Sequence, residues 1–135
     1  MSGPWVWRAI ALGAAVAVGV SLALSAFGYF AGALMEVVGV PLVAWGMRLV
    51  GLAGDFASGL VAGRIAGRDG ALHGSVVGLI GATVGILFVL PQWLGIDIEL
   101  PPAYWLQVAL WSGAGWVAAI LGGAVGAQSR RPAGP

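Results

Sequence analysis

Long uncharged stretches alternate with short polar segments along this chain, and four of the stretches are long enough to cross a bilayer. A membrane helix needs about 20 mostly apolar residues and satisfies its backbone polar groups internally. The sequence therefore predicts an all-α fold, an integral membrane four-helix bundle of two hairpins in a single domain, residues 1–135. The approximate spans are residues 7–31, 42–66, 71–90 and 103–126.

Glycine and proline mark the ends of the predicted spans. Pro41 follows a glycine break and suits a first helical turn, because the N–H that proline lacks has no partner there. The segment 67–70, Gly-Arg-Asp-Gly, predicts a tight turn between the second and third spans. The third span is expected to stop before Pro91. Residues 31–44 stay open between a helix extension, an interfacial segment and a kinked entry to the second span.

Composition narrows the classes of function. Apolar residues make up 60% of the chain and charged residues 8%, too few to cover a soluble core, since soluble domains carry about 25%. There is no cysteine and one histidine, so we expect no metal site and no cofactor. We expect no enzyme, because no nucleophile–base pair or paired carboxylates are visible. The net charge of +1 indicates no nucleic-acid partner.

Arginine positions predict the orientation in the membrane. Basic residues favour the cytoplasmic side, so a face that collects arginines is expected inside the cell. Both termini and the central turn are therefore predicted to be cytoplasmic. These residues are interpreted as topology anchors or, alternatively, as ligands of anionic headgroups or of a partner protein. They are Arg8, Arg64, Arg68, Arg130 and Arg131, together with His73 beside the turn.

Small residues recur at every fourth position in three of the spans. Lipid gives no hydrophobic reward for helix association, so such stripes favour close packing of backbones. A weak internal repeat also lays residues 59–68 over residues 119–128. The helix-packing candidates are Gly51, Gly59, Gly63, Gly74, Gly78, Gly122 and Gly126.

Asp55 is the most informative polar residue. It lies roughly 16 Å from the cytoplasmic end of its helix, near the middle of a hydrocarbon core of about 30 Å. An aspartate there costs about 2.5–3.5 kcal/mol on insertion scales, so it should face protein or water. Arg48, two turns away, is expected to reach toward Asp55 or to extend outward with Gln107 or Glu36 nearby. Ser21, Thr83 and Ser112 lie at a similar depth and are candidates for a hydrogen-bonding layer around it.

The segment GLVAGRIAGRDGALHGSVVGLIG, residues 59–81, carries a family resemblance. It is similar to the second and third spans of the YrzE-like family, small uncharacterised four-helix bacterial membrane proteins. The closing residues 122–126 before basic residues fit the same pattern. The resemblance implies a four-helix topology and a bacterial cytoplasmic membrane location, and it implies no activity. Asp55 and Arg48 are not carried over from it.

Two functions stay open at this point. The first is a structural or interaction bundle that associates through its glycine-rich faces with itself, as a homo-oligomer, or with another membrane protein. The second is a small dimeric transporter or channel that uses Asp55 near the bilayer midplane. Asp55 has a structural interpretation too, as a protonated or paired side chain that fixes helix register.

Overall fold

The chain is helical throughout the part that the computed structural model describes, residues 6–95 and 102–129. Four of its helices are long and apolar enough to cross a membrane, so the predicted all-α four-helix membrane bundle is confirmed. They are α1, α3, α4 and α5, and α2 is a short helix between the first two. The helices comprise α1 Trp7–Phe30, α2 Gly32–Val38, α3 Val40–Ala66, α4 Gly70–Gly95 and α5 Pro102–Gln128.

Helices α3 and α4 form the centre of the bundle, with α1 and α5 on opposite sides of them. Helix α5 packs most extensively on α3 and then on α4, and among the described residues it makes no close approach to α1. Ile10, Ala17, Ala62 and Val77 form a buried apolar cluster that joins α1 to α3 and α4. The chain order therefore places two parallel helices, α3 and α5, in the largest contact of the fold.

The tight turn between α3 and α4 forms where the sequence predicts it. Gly67 ends α3 in the left-handed conformation with φ of 73°, which glycine adopts without steric penalty. Asp69 follows with φ of 51°, one of the few residue types that tolerate this region. The end of the bundle that holds this turn is called the turn end below.

The segment that the sequence left open is the short helix α2. It stops at Gly39, whose φ of 89° again needs glycine, and α3 begins at the next residue with Pro41 in its first turn. Helix α4 continues through Pro91 to Gly95, where the sequence placed its end at Leu90. Proline removes one backbone donor, and membrane helices accommodate that loss through neighbouring groups.

In the half of the bundle nearest the turn end, the backbones of α3 and α5 are in direct contact. A side chain at Gly59 would collide with the carbonyl oxygen of Ala119, and one at Gly63 with that of Gly123. Only glycine allows this approach. Short interhelical distances of this kind favour dispersion contacts and weak Cα–H···O bonds, the forces that hold helices together in lipid.

The same contact repeats from the α5 side. Side chains at Gly122 and Gly126 would collide with the carbonyl oxygens of Phe56 and Leu60. A shift of 63 residues converts each α3 position of these contacts into its α5 counterpart, so the two parallel helices are related by a local pseudo-two-fold axis. The repeat noted in the sequence is thus three residues out of register, because residues 59–66 correspond to 122–129 rather than to positions starting at 119.

Helix α4 completes the close packing against α5. A side chain at Gly74 would collide with the carbonyl oxygen of Ala119, and a Cβ at Gly78 would lie 2.9 Å from Cδ1 of Trp116. At Gly51 the added Cβ would lie 3.7 Å from Cδ1 of Leu24 in α1, an ordinary contact. Six of the seven packing candidates therefore lie at contacts inside one chain that are too close for a larger residue.

Candidate binding cavity at Asp55

Beyond the glycine contacts, the four long helices separate around a cavity of about 210 Å³. All four contribute to its wall, and most of the wall consists of glycine, alanine and valine. Three polar residues line it, Asp55 from α3, Ser21 from α1 and Ser112 from α5. The indole rings of Trp111 and Trp116 complete it. The fold thus brings one carboxyl, two hydroxyls and two aromatic rings together between the four candidate membrane-spanning helices.

The carboxyl group of Asp55 has no hydrogen bond or ion pair with any described residue. Its Oδ2 lies against Gly115, where any side chain would collide with it. Ser58 donates to the backbone oxygen of Asp55 at 2.7 Å and leaves the carboxyl alone. The carboxyl oxygens still touch open space, since no fully buried side-chain oxygen or nitrogen in the described residues lacks a partner. The cavity therefore exposes the carboxyl to whatever fills it.

The hydroxyl groups of Ser21 and Ser112 are likewise without a hydrogen-bond partner in the described part of the chain. A serine in a membrane helix usually bonds a carbonyl one turn earlier, as Ser25 does to the oxygen of Ser21 at 2.8 Å. Polar groups without partners are expensive in a low-dielectric interior. Two such hydroxyls and a carboxyl on one cavity indicate that it holds water or a polar ligand.

Thr83 does not belong to this cavity. Its hydroxyl donates to the carbonyl oxygen of Leu79 at 2.8 Å on an exposed face of α4. Ser21 and Ser112 therefore line the same cavity as Asp55 without hydrogen-bonding its carboxyl, whereas Thr83 lies outside the cavity. Depth along a helix follows from sequence position, whereas the rotation of α4 about its axis depends on how its glycines pack.

Arg48 is held away from Asp55 by contacts with Trp45, Trp111 and Gln107. Its Nη2 donates to Oε1 of Gln107 at 2.7 Å. Its Cζ lies 5.1 Å from the ring centroid of Trp111 and 5.7 Å from that of Trp45. The two rings meet edge to face with centroids 5.5 Å apart. Of the two directions predicted for the Arg48 side chain, the outward one beside Gln107 is observed.

The direction of Arg48 follows from helix geometry. Side chains of an α-helix lean toward its N-terminus, and the N-terminus of α3 points away from Asp55. The two residues are seven positions apart, which corresponds to about 10 Å along the helix, and the lean of Arg48 adds to that separation. Trp111 connects the two groups, because one indole both contacts the guanidinium and lines the cavity.

The turn side of the cavity is closed by Trp116 and by the glycine contacts. The indole N–H of Trp116 donates to the backbone oxygen and Oγ of Ser75, at 3.2 and 3.1 Å. One turn further on, the backbones of α3 and α5 touch at Gly59 and Ala119. Trp111 and Trp116 were not among the residues predicted from the sequence. The available signal was their position inside the fourth predicted span, since tryptophans of membrane helices are enriched at the span ends.

His73 is fully buried, which contradicts its predicted role as an anchor at the headgroups. Its Nε2 accepts the backbone N–H of Val6 at 3.1 Å, and its Nδ1 lies 2.9 Å from the backbone oxygen of Asp69. With Nε2 as acceptor, the network assigns the proton to Nδ1. The imidazole thus ties the start of α1 to the turn before α4.

Arg8, Arg64 and Arg68 remain predicted anchors. All three are exposed near the turn end of the bundle, and Arg68 has an interaction partner. Arg130 and Arg131 lie outside the described residues.

Replacing His73 by alanine is expected to lower the free energy of unfolding by about 2–4 kcal/mol, because it opens a buried void and removes the partners of two backbone groups. Thermal unfolding in detergent, followed by circular dichroism, measures this loss. Leu72→Ala, at the exposed neighbouring position, is the matched control and should change stability little. Equal effects of the two variants would contradict the buried linking role.

No known protein family, curated protein or solved structure matches the chain. The resemblance of residues 59–81 to the YrzE-like family therefore stays a prediction.

Proposed function

We propose that this protein is a small membrane carrier that binds a proton or a cation at Asp55, in the cavity between its four long helices. One observation carries the proposal: a carboxyl without a protein partner faces a mid-membrane cavity. A cavity of about 210 Å³ is large enough for several water molecules or a small ligand. Carboxylates at such depth in a membrane are expensive, so one that occurs there without a protein partner favours a binding role.

A carrier fits the geometry better than a continuous pore. Toward the turn end, Trp116 and the direct backbone contacts of α5 with α3 and α4 close the cavity within the described residues. Passage to that side requires α5 to move relative to α3 and α4. Helices that pack through small residues have few interdigitating side chains, so they can slide or rock against one another. Alternating access requires such a movement.

Association through glycine-rich faces, the other hypothesis from the sequence, has weaker support. Six of its seven glycines contact helices of the same chain and are not free to meet another molecule. A homo-oligomer or a complex with another membrane protein would need a different face. Location in a bacterial cytoplasmic membrane with both termini cytoplasmic remains part of the proposal, supported by the arginine distribution and the family resemblance.

Infrared spectroscopy of the protein in bilayers, with its aspartates isotopically labelled, tests the proposal. The Asp55 carboxyl band is identified as the signal missing from Asp55→Asn. It is expected to change with bulk pH and to shift in D2O within minutes, because the cavity admits water. Asp69→Asn, at the exposed turn, controls for the assignment. A band of Asp55 that neither titrates nor exchanges would show a sealed side chain and overturn the proposal.

A further inference from the structure

We infer that the ligand of the Asp55 cavity is a small organic cation of the guanidinium or alkylammonium class. Trp111, in the wall of the cavity, makes the binding selective for such cations through a cation–π contact. The inference rests on the proposed function and specifies its substrate class.

The donor set of the cavity does not suit a metal ion. Asp55 supplies one carboxylate, Ser21 and Ser112 supply two hydroxyls, and the described residues contain no group of three or more His, Cys, Asp or Glu that could hold a metal. Divalent cations such as Ca²⁺ take about six to eight oxygen ligands at short distance. A single negative charge in a space of 210 Å³ instead matches a monovalent cation of several atoms.

The hydrogen-bonding groups of the cavity match an N–H-rich ligand. A carboxylate is an acceptor only, and a guanidinium or ammonium is a donor only, so the two pair without a competing arrangement. The hydroxyls of Ser21 and Ser112 line the same cavity without partners of their own and can accept further N–H groups.

Trp111 already binds a guanidinium in this structure, since its ring lies 5.1 Å from Cζ of Arg48. The electrostatic attraction comes from the ring quadrupole and favours cations with dispersed charge. Because the same indole lines the cavity, a ligand that extends from Asp55 across the cavity would reach it. Trp45 also contacts Arg48 and does not line the cavity, which makes it a matched control.

Equilibrium binding of labelled methylguanidinium to the full chain in lipid nanodiscs tests the ligand class. Saturable binding is expected, with affinity at least tenfold lower for Asp55→Asn. Urea, which has a similar planar shape without the charge, should not compete, and excess sodium should not displace the ligand. Equal binding to Asp55→Asn, or competition by urea, would overturn the inference.

The role of the wall is tested by three tryptophan variants whose folding is checked by circular dichroism. Trp111→Leu is expected to lower the affinity about tenfold, and Trp111→Phe, which keeps a ring, less than threefold. Trp45→Leu should leave affinity within twofold. Equal weakening by Trp45→Leu and Trp111→Leu would show that the effect acts through Arg48 and would overturn the selection by Trp111. If Trp111→Leu does not fold, Trp111→Met, which also removes the ring, takes its place in the comparison with Trp45→Leu.

Failure of this inference is distinguishable from failure of the proposed function. An Asp55 band that titrates and exchanges, without methylguanidinium binding, leaves a proton or inorganic-cation site and rejects the organic cation. An Asp55 that is sealed in the infrared measurement rejects both.

Discussion

A methyl group added at Gly63 or Gly123 is expected to lower the free energy of unfolding by about 3 kcal/mol or more, while one at Gly46 or Gly113 is not. At the first two positions the new Cβ would collide with a backbone carbonyl oxygen, that of Gly123 and that of Gly70 respectively. A backbone atom cannot turn aside as a side chain can, so the helices must separate, and overpacking of this kind costs about 1–3 kcal/mol or more.

The control positions lie on the same two helices. Nothing lies within 4 Å of a Cβ added at Gly46 in α3 or at Gly113 in α5. Alanine at these positions should be neutral or raise stability by up to about 1 kcal/mol, because glycine is the weaker helix former. The four variants can be compared by unfolding in mixed micelles with increasing denaturing detergent, followed by circular dichroism.

The same variants separate the two uses of the glycine stripes. If the glycines hold one chain together, Gly63→Ala destabilises the monomer, and native mass spectrometry finds less folded protein in every oligomeric state. Loss of an oligomer from a monomer of unchanged stability would show that these glycines join different chains, contrary to the contacts described above. Gly46→Ala should leave both the stability of the monomer and the distribution of oligomeric states as in the wild type.

The four spans and the turn at residues 67–70 were predictable because their signals are local, whereas the end of α4 beyond Pro91 was not. An apolar run of some 20 residues defines a span without reference to the rest of the chain. Gly67 and Pro41 act on their own backbone, one by permitting positive φ and the other by lacking an N–H. The spacing of Gly59 and Gly63 likewise predicts a face for close packing, since residues four apart share one side of a helix.

The partners of those faces were not predictable, because they depend on how each helix is rotated and which neighbour it meets. Thr83 has the depth of Asp55 and yet lies on another side of its helix. His73 looks like a basic residue at an interface, but α1 covers it and uses its ring nitrogen. The direction of Arg48 could have been predicted, since the lean of helical side chains toward the N-terminus depends only on helix orientation.

Replacing Asp55 by leucine is expected to stabilise the bundle by up to about 3 kcal/mol and to abolish ligand binding. Leucine branches at the same atom as aspartate, so it fills the space beside Gly115 without the cost of a carboxyl inside the bundle, for which insertion scales give an upper bound of about 2.5–3.5 kcal/mol. A binding residue that lowers the stability of the protein is an example of a trade-off between stability and function.

Asp55→Asn supplies the intermediate case. It keeps the shape and a polar end but not the charge, so its stability should fall between wild type and Asp55→Leu, with binding already weakened. Unfolding in mixed micelles measures the first property and methylguanidinium binding the second. A loss of stability in Asp55→Leu would instead mean that the carboxyl holds helix register, the structural interpretation that the sequence left open. The carboxyl makes no hydrogen bond or ion pair within the described residues, which favours the first outcome, because its contact with Gly115 is a packing contact that leucine can also make.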